Sequence, residues 1–151
     1  AIVFTSGEHF CAGMDLNQMA PMLINGDHSY IKNKNYIDPL GLNKPIRSKP
    51  VIAAVKGYTF TYGLELMLAC DIVLAEDNTK FAMLEVKRGL LMTGGATLRF
   101  VQRAGWGNSM KYLLTGLEFN SKEASNTYCS KELDALTKQE IMEQLKISKL
   151  E

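Results

Sequence analysis

Pro50-Val51-Ile52-Ala53-Ala54-Val55-Lys56-Gly57 is followed, after a short turn, by Gly63-Leu64-Glu65-Leu66-Met67-Leu68-Ala69-Cys70-Asp71 and then by Ile72-Val73-Leu74-Ala75. The first run is apolar without interruption from Val51 to Val55 and stops at Lys56-Gly57. That pattern suits a strand buried on both faces, as in a parallel sheet. The second stretch reads as a mostly buried helix ending at Asp71, and the third as the next strand. Strand, short helix, strand in close succession is the parallel crossover pattern, which places the chain in the α/β class.

Outward from this unit the pattern is less uniform. Ala1 to Thr5 reads as another buried strand, with Ser6-Gly7-Glu8 as its turn. The small-residue stretch Phe10-Cys11-Ala12-Gly13-Met14-Asp15 leads into a Met- and Leu-rich helix. Residues 25–49 are polar, broken by Gly26, Pro39, Gly41 and Pro45, and read as a long loop. On the other side, Phe81 to Glu85 reads as a short strand. Gly94-Gly95 opens a helix from Ala96 to Arg103 that Gly105 closes, and Asn108 or Ser109 caps a further helix ended by Gly116. Thr137-Lys138-Gln139-Glu140 is a capping box with Leu136 and Ile141 as its flanking staple.

The chain has 151 residues, enough for about one domain and a single core. A hydrophobic fraction of 46% against 22% charged residues is that of a globular chain. A net charge of +1 without blocks of like charge gives no reason to expect nucleic acid or an anionic membrane as partner. Cys11, Cys70 and Cys129 lie far apart and are odd in number, and His9 and His28 form no ligand-spaced cluster with them. No metal site is expected, and free thiols in a reducing, cytoplasmic setting are. No apolar run reaches the length of about 18 residues that a membrane span requires. Ser148-Lys149-Leu150 resembles a peroxisomal address, but Glu151 follows it, and such an address is read only at the very C-terminus. The terminal Leu-Glu reads as a fusion scar. Together with an opening directly in a strand, it makes a fragment the expectation.

Small-residue turns after buried strands expose backbone N–H groups. Cys11-Ala12-Gly13-Met14 is one such turn, and Tyr58 to Gly63 is another that runs into a helix. Two of them facing each other could give two amide donors to one carbonyl oxygen, the requirement of an oxyanion hole. The partial positive charge at the helix start near Gly63 acts in the same sense. Such turns are, by themselves, more often structural. Glu65 stands in the first turn of an otherwise apolar helix, where lost hydration raises a carboxyl pKa toward the range useful for proton transfer. Its bland alternative is a helix-start acid, or one paired with Lys or Arg. Glu85 follows the apolar Phe81-Ala82-Met83-Leu84, with a local salt bridge to Lys87 or Arg88 as its bland alternative.

Taken together, these stretches resemble the crotonase (enoyl-CoA hydratase/isomerase) superfamily. Phe10-Cys11-Ala12-Gly13-Met14-Asp15-Leu16 is similar to its first oxyanion signature. Lys49-Pro50-Val51-Ile52-Ala53-Ala54-Val55 with Gly57-Tyr58 resembles the next segment, and Gly63-Leu64-Glu65-Leu66 with Ala69-Cys70-Asp71-Ile72 the helix after it. Phe81 to Glu85, Gly89-Leu90-Leu91, Gly94-Gly95-Ala96-Thr97-Leu98-Arg99, Thr115-Gly116 and Glu123-Ala124 continue the pattern in order. The resemblance implies a β-β-α spiral, truncated at both ends, with residues 1–124 as a partial core and 125–151 as a divergent helical tail.

It also implies a chemistry. Family members bind an acyl-CoA thioester so that its carbonyl oxygen accepts two backbone N–H bonds, which map onto Met14 and Tyr62. In hydratases two glutamates hold a water and add it across a 2-enoyl-CoA double bond; these map onto Glu65 and Glu85. Ala12, Gly13, Asp15, Gly63 and Gly94 fall at substrate-binding positions. No cofactor is implied beyond the coenzyme A carried by the substrate, and a homo-oligomer, trimer or hexamer, is implied as the assembly. Double-bond isomerisation is the sister reaction, and an inactive oligomeric or binding module the non-enzymatic alternative. Two departures stand out. Thr61-Tyr62-Gly63 keeps only the last of the family's consecutive glycines, so a positive φ at Tyr62 would be costly. A sheet without its first strands also leaves an edge and an apolar face to be covered.

Overall fold

The computed structural model describes residues 1–25 and 36–128. Among them run β1 (Ile2–Val3), α1 (Leu16–Ile24), β2 (Ile52–Val55), β3 (Tyr58–Phe60), α2 (Tyr62–Ala69), β4 (Ile72–Ala75) and β5 (Lys80–Ala82). A 3-10 turn at Glu85–Arg88, then α3 (Ala96–Thr115), β6 (Phe119–Asn120) and α4 (Ser121–Tyr128), complete the order. The capping box at Thr137, together with His28 and Cys129, lies outside the described residues.

The described strands form two three-stranded sheets. In one, β2 lies between β1 and β4 and is parallel to both, with Ile52 opposite Ile2 and Ile72. The crossover read from the sequence is therefore present, with α2 carrying the chain from β2 back to β4. In the other sheet, β5 lies between β3, parallel to it, and β6, antiparallel to it. Tyr58–Phe60 is thus a strand, where the sequence reading has only a turn. Aromatic and β-branched residues flanked by glycine favour the extended state, and the second sheet supplies the hydrogen bonds.

Three further elements differ from expectation. The strand expected over Phe81 to Glu85 ends at Ala82, and Glu85 opens the 3-10 turn, whose last carbonyls are met by the left-handed Gly89 (φ 66°). Gly105 (φ 72°, ψ 168°) breaks the helical backbone as the sequence suggests, but α3 resumes at once. Asn108 and Ser109 are therefore not caps. Asn108 Nδ2 donates to the Ala104 carbonyl (3.1 Å) and Ser109 Oγ to the Gly105 carbonyl (2.6 Å), back-bonds typical of polar residues inside a helix.

The bend at Gly105 folds α3 around an aromatic cluster. Phe100 meets the edge of Phe119 (5.9 Å between centroids), Tyr112 lies on Phe119 (4.5 Å), and Phe81 stacks on it from β5 (5.2 Å). Leu64, Met67 and Leu68 of α2 join the same core, with Ala53 and Val55 from β2. Its C-terminus is closed by side chains. Arg103 donates to the Leu68 and Cys70 carbonyls (3.3 and 2.6 Å), and Arg47 donates to the Ala69 carbonyl and pairs with Asp71. These cations meet carbonyls that a helix end leaves without partners. So α2 is held along its length and at its end, which fixes where its first turn points.

Candidate active site

The turn before α1 and the turn before α2 are built against each other. Cys11 forms a parallel bridge with Thr59, donating to the Tyr58 carbonyl (3.1 Å) and accepting from the Phe60 amide (2.9 Å). Gly63 packs onto Cys11 so closely that a Cβ there would stand 2.7 Å from Cys11 Cβ and 2.8 Å from its carbonyl oxygen. A Cβ on Gly13 would collide with Thr61 Oγ1. Only glycine fits either place, so the two small-residue turns read from the sequence share one surface.

Donors are present on it. The amides of Ala12, Gly13 and Met14 meet no acceptor among the described residues. Tyr62 begins α2, directly after Thr61. Asp15 is occupied otherwise. Its Oδ1 accepts the Asn17 amide (3.0 Å) and its carbonyl accepts the Met19 amide (2.9 Å), so it caps α1. The costly backbone conformation also falls one residue earlier than the sequence suggests. Thr61, not Tyr62, has positive φ (51°, with ψ −117°), and it is the sole non-glycine to do so among the described residues.

Glu65 is the centre of the site. It is only 4% exposed, and its Oε1 accepts the amides of Gly94 (2.7 Å) and Ala96 (3.2 Å). Those amides belong to the start of α3, whose N-cap, Gly95, is left-handed (φ 97°). The carboxylate therefore sits at the N-terminus of a helix other than its own, where oriented amides and the dipole favour negative charge. Burial nonetheless dominates and holds its pKa above the ordinary 4.5, against the opposing pull of the two amides and of the Arg99 charge. No Lys or Arg forms an ion pair with it among the described residues. Glu65 does stand in the first turn of its own helix, as its helix-start alternative has it, while its carboxylate is held by the amides at the start of α3.

Glu85 stands close enough to feel that charge. Its pKa is raised first by burial and further by Glu65. Among the described residues its buried Oε2 has no hydrogen-bond partner, and it is in no ion pair with Lys87 or Arg88. The two carboxyl groups thus influence each other, Glu65 buried and held by amides, Glu85 half-buried with one oxygen that has no partner among the described residues. The sequence reading missed Thr61, Ala96 and Arg99 as parts of this arrangement. The Gly94-Gly95 pair ahead of a helix was their one visible sign. No group of three or more His, Cys, Asp or Glu suited to a metal occurs among the described residues.

Fold and site together define an α/β protein with a two-carboxylate centre beside a double backbone turn. The chain belongs to the enoyl-CoA hydratase/isomerase family, whose model matches residues 1–143. It is 37% identical over 124 residues to the mevalonyl-coenzyme A hydratase of Aspergillus fumigatus, covering 82% of this chain and 44% of that protein. To the mitochondrial enoyl-CoA hydratase of Pongo abelii it is 33% identical, covering 82% and 41%. Among solved structures, a probable enoyl-CoA hydratase/isomerase from Mycobacterium abscessus superposes with a TM-score of 0.83 at 36% identity, over 97% of this chain and 55% of that one. An enoyl-CoA hydratase from Mycobacterium tuberculosis gives 0.73 at 32% identity, over 96% and 54%. The fold is thus part of the crotonase fold, and the chain spans about half the length of the relatives it matches.

Proposed function

We propose that this chain carries the chemistry of an enoyl-CoA hydratase, adding water across the double bond of a 2-enoyl-CoA thioester. The observation that carries the reading is the pairing of Glu65, seated on the Gly94 and Ala96 amides, with Glu85, whose Oε2 has no partner among the described residues. In this reading the thioester oxygen accepts the amides of Met14 and Tyr62, and Ala12, Gly13, Gly63 and Gly94 belong to the turns that border the bound thioester. Glu65, whose pKa burial raises while two amides and Arg99 steady its charged form, takes a proton from water as the water oxygen bonds to C3. The displaced π electrons collect on the thioester oxygen as an enolate. Glu85, whose hold on its proton is strengthened by burial and by Glu65, delivers that proton to C2. Such positioned proton transfer typically contributes about 10²–10⁴-fold to a rate.

Coenzyme A enters as part of the substrate, with no other cofactor in the scheme. Self-assembly is part of the proposal, supported by the large apolar side chains that α3 leaves in solvent, Leu98 (69%), Trp106 (71%) and Leu114 (66%). A reducing, cytoplasmic setting accords with the free thiols of Cys11 and Cys70, and no helix among the described residues is long and apolar enough to cross a membrane. The test is the fall in crotonyl-CoA absorbance on adding the protein, repeated with Glu65→Gln and Glu85→Gln. Loss of turnover in both variants supports hydration. Turnover that survives Glu65→Gln overturns the assignment, and double-bond migration that survives Glu85→Gln alone selects isomerisation instead.

A further inference from the structure

Arg99 occupies a place that electrostatics alone disfavours. It lies in the first turn of α3, where the positive end of the helix dipole repels a cation. What it does there is specific. Its Nη1 donates to the Gly94 carbonyl (3.0 Å) and its Nη2 to the Leu40 carbonyl (2.5 Å). The same Gly94 gives its amide to Glu65 Oε1 at 2.7 Å. One peptide turn is therefore gripped on its carbonyl side by Arg99 and grips Glu65 with its amide side.

The far end of this bridge is itself anchored. Asp38 accepts the amides of Leu40 (2.9 Å), Leu42 (2.9 Å) and Asn43 (3.0 Å), closing residues 38–43 into a compact loop that presents the Leu40 carbonyl. Gly95 completes the fit, since a Cβ there would stand 2.5 Å from Arg99 Nη1 and 3.3 Å from Leu42 Cδ2. We propose that Arg99 is a positioning residue for Glu65, clamping the Gly94-Gly95 turn to the Asp38 loop so that the carboxylate keeps its two amide donors. A planar guanidinium can span two carbonyls in this way, and a lysine ammonium on a flexible stem cannot hold the same geometry. The charged groups that bear on Glu65 are Arg99 from α3 and Glu85 from the 3-10 turn, and they act in opposite senses.

This inference concerns the site assigned above, but its test needs no turnover. The protein is labelled with ¹³C at the glutamate carboxyls and ¹⁵N at glycine, and the Glu65 carboxyl signal is identified by its loss in Glu65→Gln. In Arg99→Gln the Glu65 titration midpoint should move up by roughly one pH unit, and the Gly94 amide proton should shift upfield as its bond to Oε1 lengthens. In Arg99→Lys the midpoint should move less, while the Gly94 amide shifts nearly as far. An unchanged Glu65 midpoint with an unchanged Gly94 amide in either folded variant overturns the proposal. If Arg99→Gln does not fold, Arg99→Lys decides by the Gly94 amide alone. Failure of the wild-type chain to hydrate crotonyl-CoA would count against the hydratase reading and leave this titration standing.

Discussion

Gly94 donates its amide to Glu65 Oε1 from 2.7 Å, and a Cβ on Gly94 would lie 2.6 Å from the Glu65 Cδ. The glycine is therefore both the donor that orients the carboxylate and the vacancy that lets it approach. Gly94→Ala should push the carboxylate off its two amides. The expected result is a loss of crotonyl-CoA hydration of about 10²-fold or more, the scale on which misplaced groups lower rates. Thermal unfolding should show a cost of roughly 1–3 kcal/mol from overpacking. Rates near wild type in a folded Gly94→Ala protein would count against Glu65 as the working group.

Glu85 has a folded pKa raised above the ordinary 4.5, chiefly by burial and then by Glu65. A carboxyl raised in the folded state favours folding while it holds its proton, below about 4.5. That contribution is lost as pH rises through the folded value. Glu85→Gln should therefore gain melting temperature relative to wild type at pH 7–8, with the gain shrinking toward pH 4.5. Paired thermal melts across that interval measure it, and a gain that grew on acidification would contradict the burial of this group.

Thr61 holds a backbone conformation that a β-branched residue rarely adopts, with its hydroxyl against Gly13. Its amide and carbonyl remain engaged, with the Ala82 carbonyl (2.9 Å) and the Glu65 amide (3.0 Å), so the surroundings impose the strain. Thr61→Gly should relieve it and raise stability by about 1–2 kcal/mol. Chemical denaturation reads this as a higher midpoint at unchanged slope.

Arg103 closes the end of the helix that carries Glu65, through the Leu68 and Cys70 carbonyls. Arg103→Met keeps much of the packing and removes the donors. A loss of roughly 1–3 kcal/mol is expected, the cost of leaving buried acceptors unmet. Because α2 then frays from its C-terminus, amide exchange should accelerate at Leu68 to Cys70 before it does at Glu65.

Much of this was legible in the chain itself. Val51 to Val55 and Ile72 to Ala75 read as strands joined by a crossover, and they do pair in one parallel sheet, but β2 is fully buried only at Ala53 and Val55 and β4 is more open than its apolar run suggests, with Ile72 40% exposed. Glu65 stood out because nothing else in its helix is charged, and Gly94-Gly95 because two glycines before a helix mark a turn. Periodicity, turn chemistry and the isolation of a charged residue are local properties, and the sequence determines them residue by residue.

Tertiary structure decided who meets whom. No local signal says that Glu65 would take its hydrogen bonds from amides 29 and 31 residues further on, or that Arg99 would reach 59 residues back to Leu40. Nor could spacing show that Cys11 and Gly63 touch, or that the strained position is Thr61. These facts depend on how α2, α3 and two small sheets pack around one aromatic cluster. The physical reason is range. Side-chain period and backbone propensity act over a few residues, whereas burial and charge depend on neighbours that only the folded chain assembles.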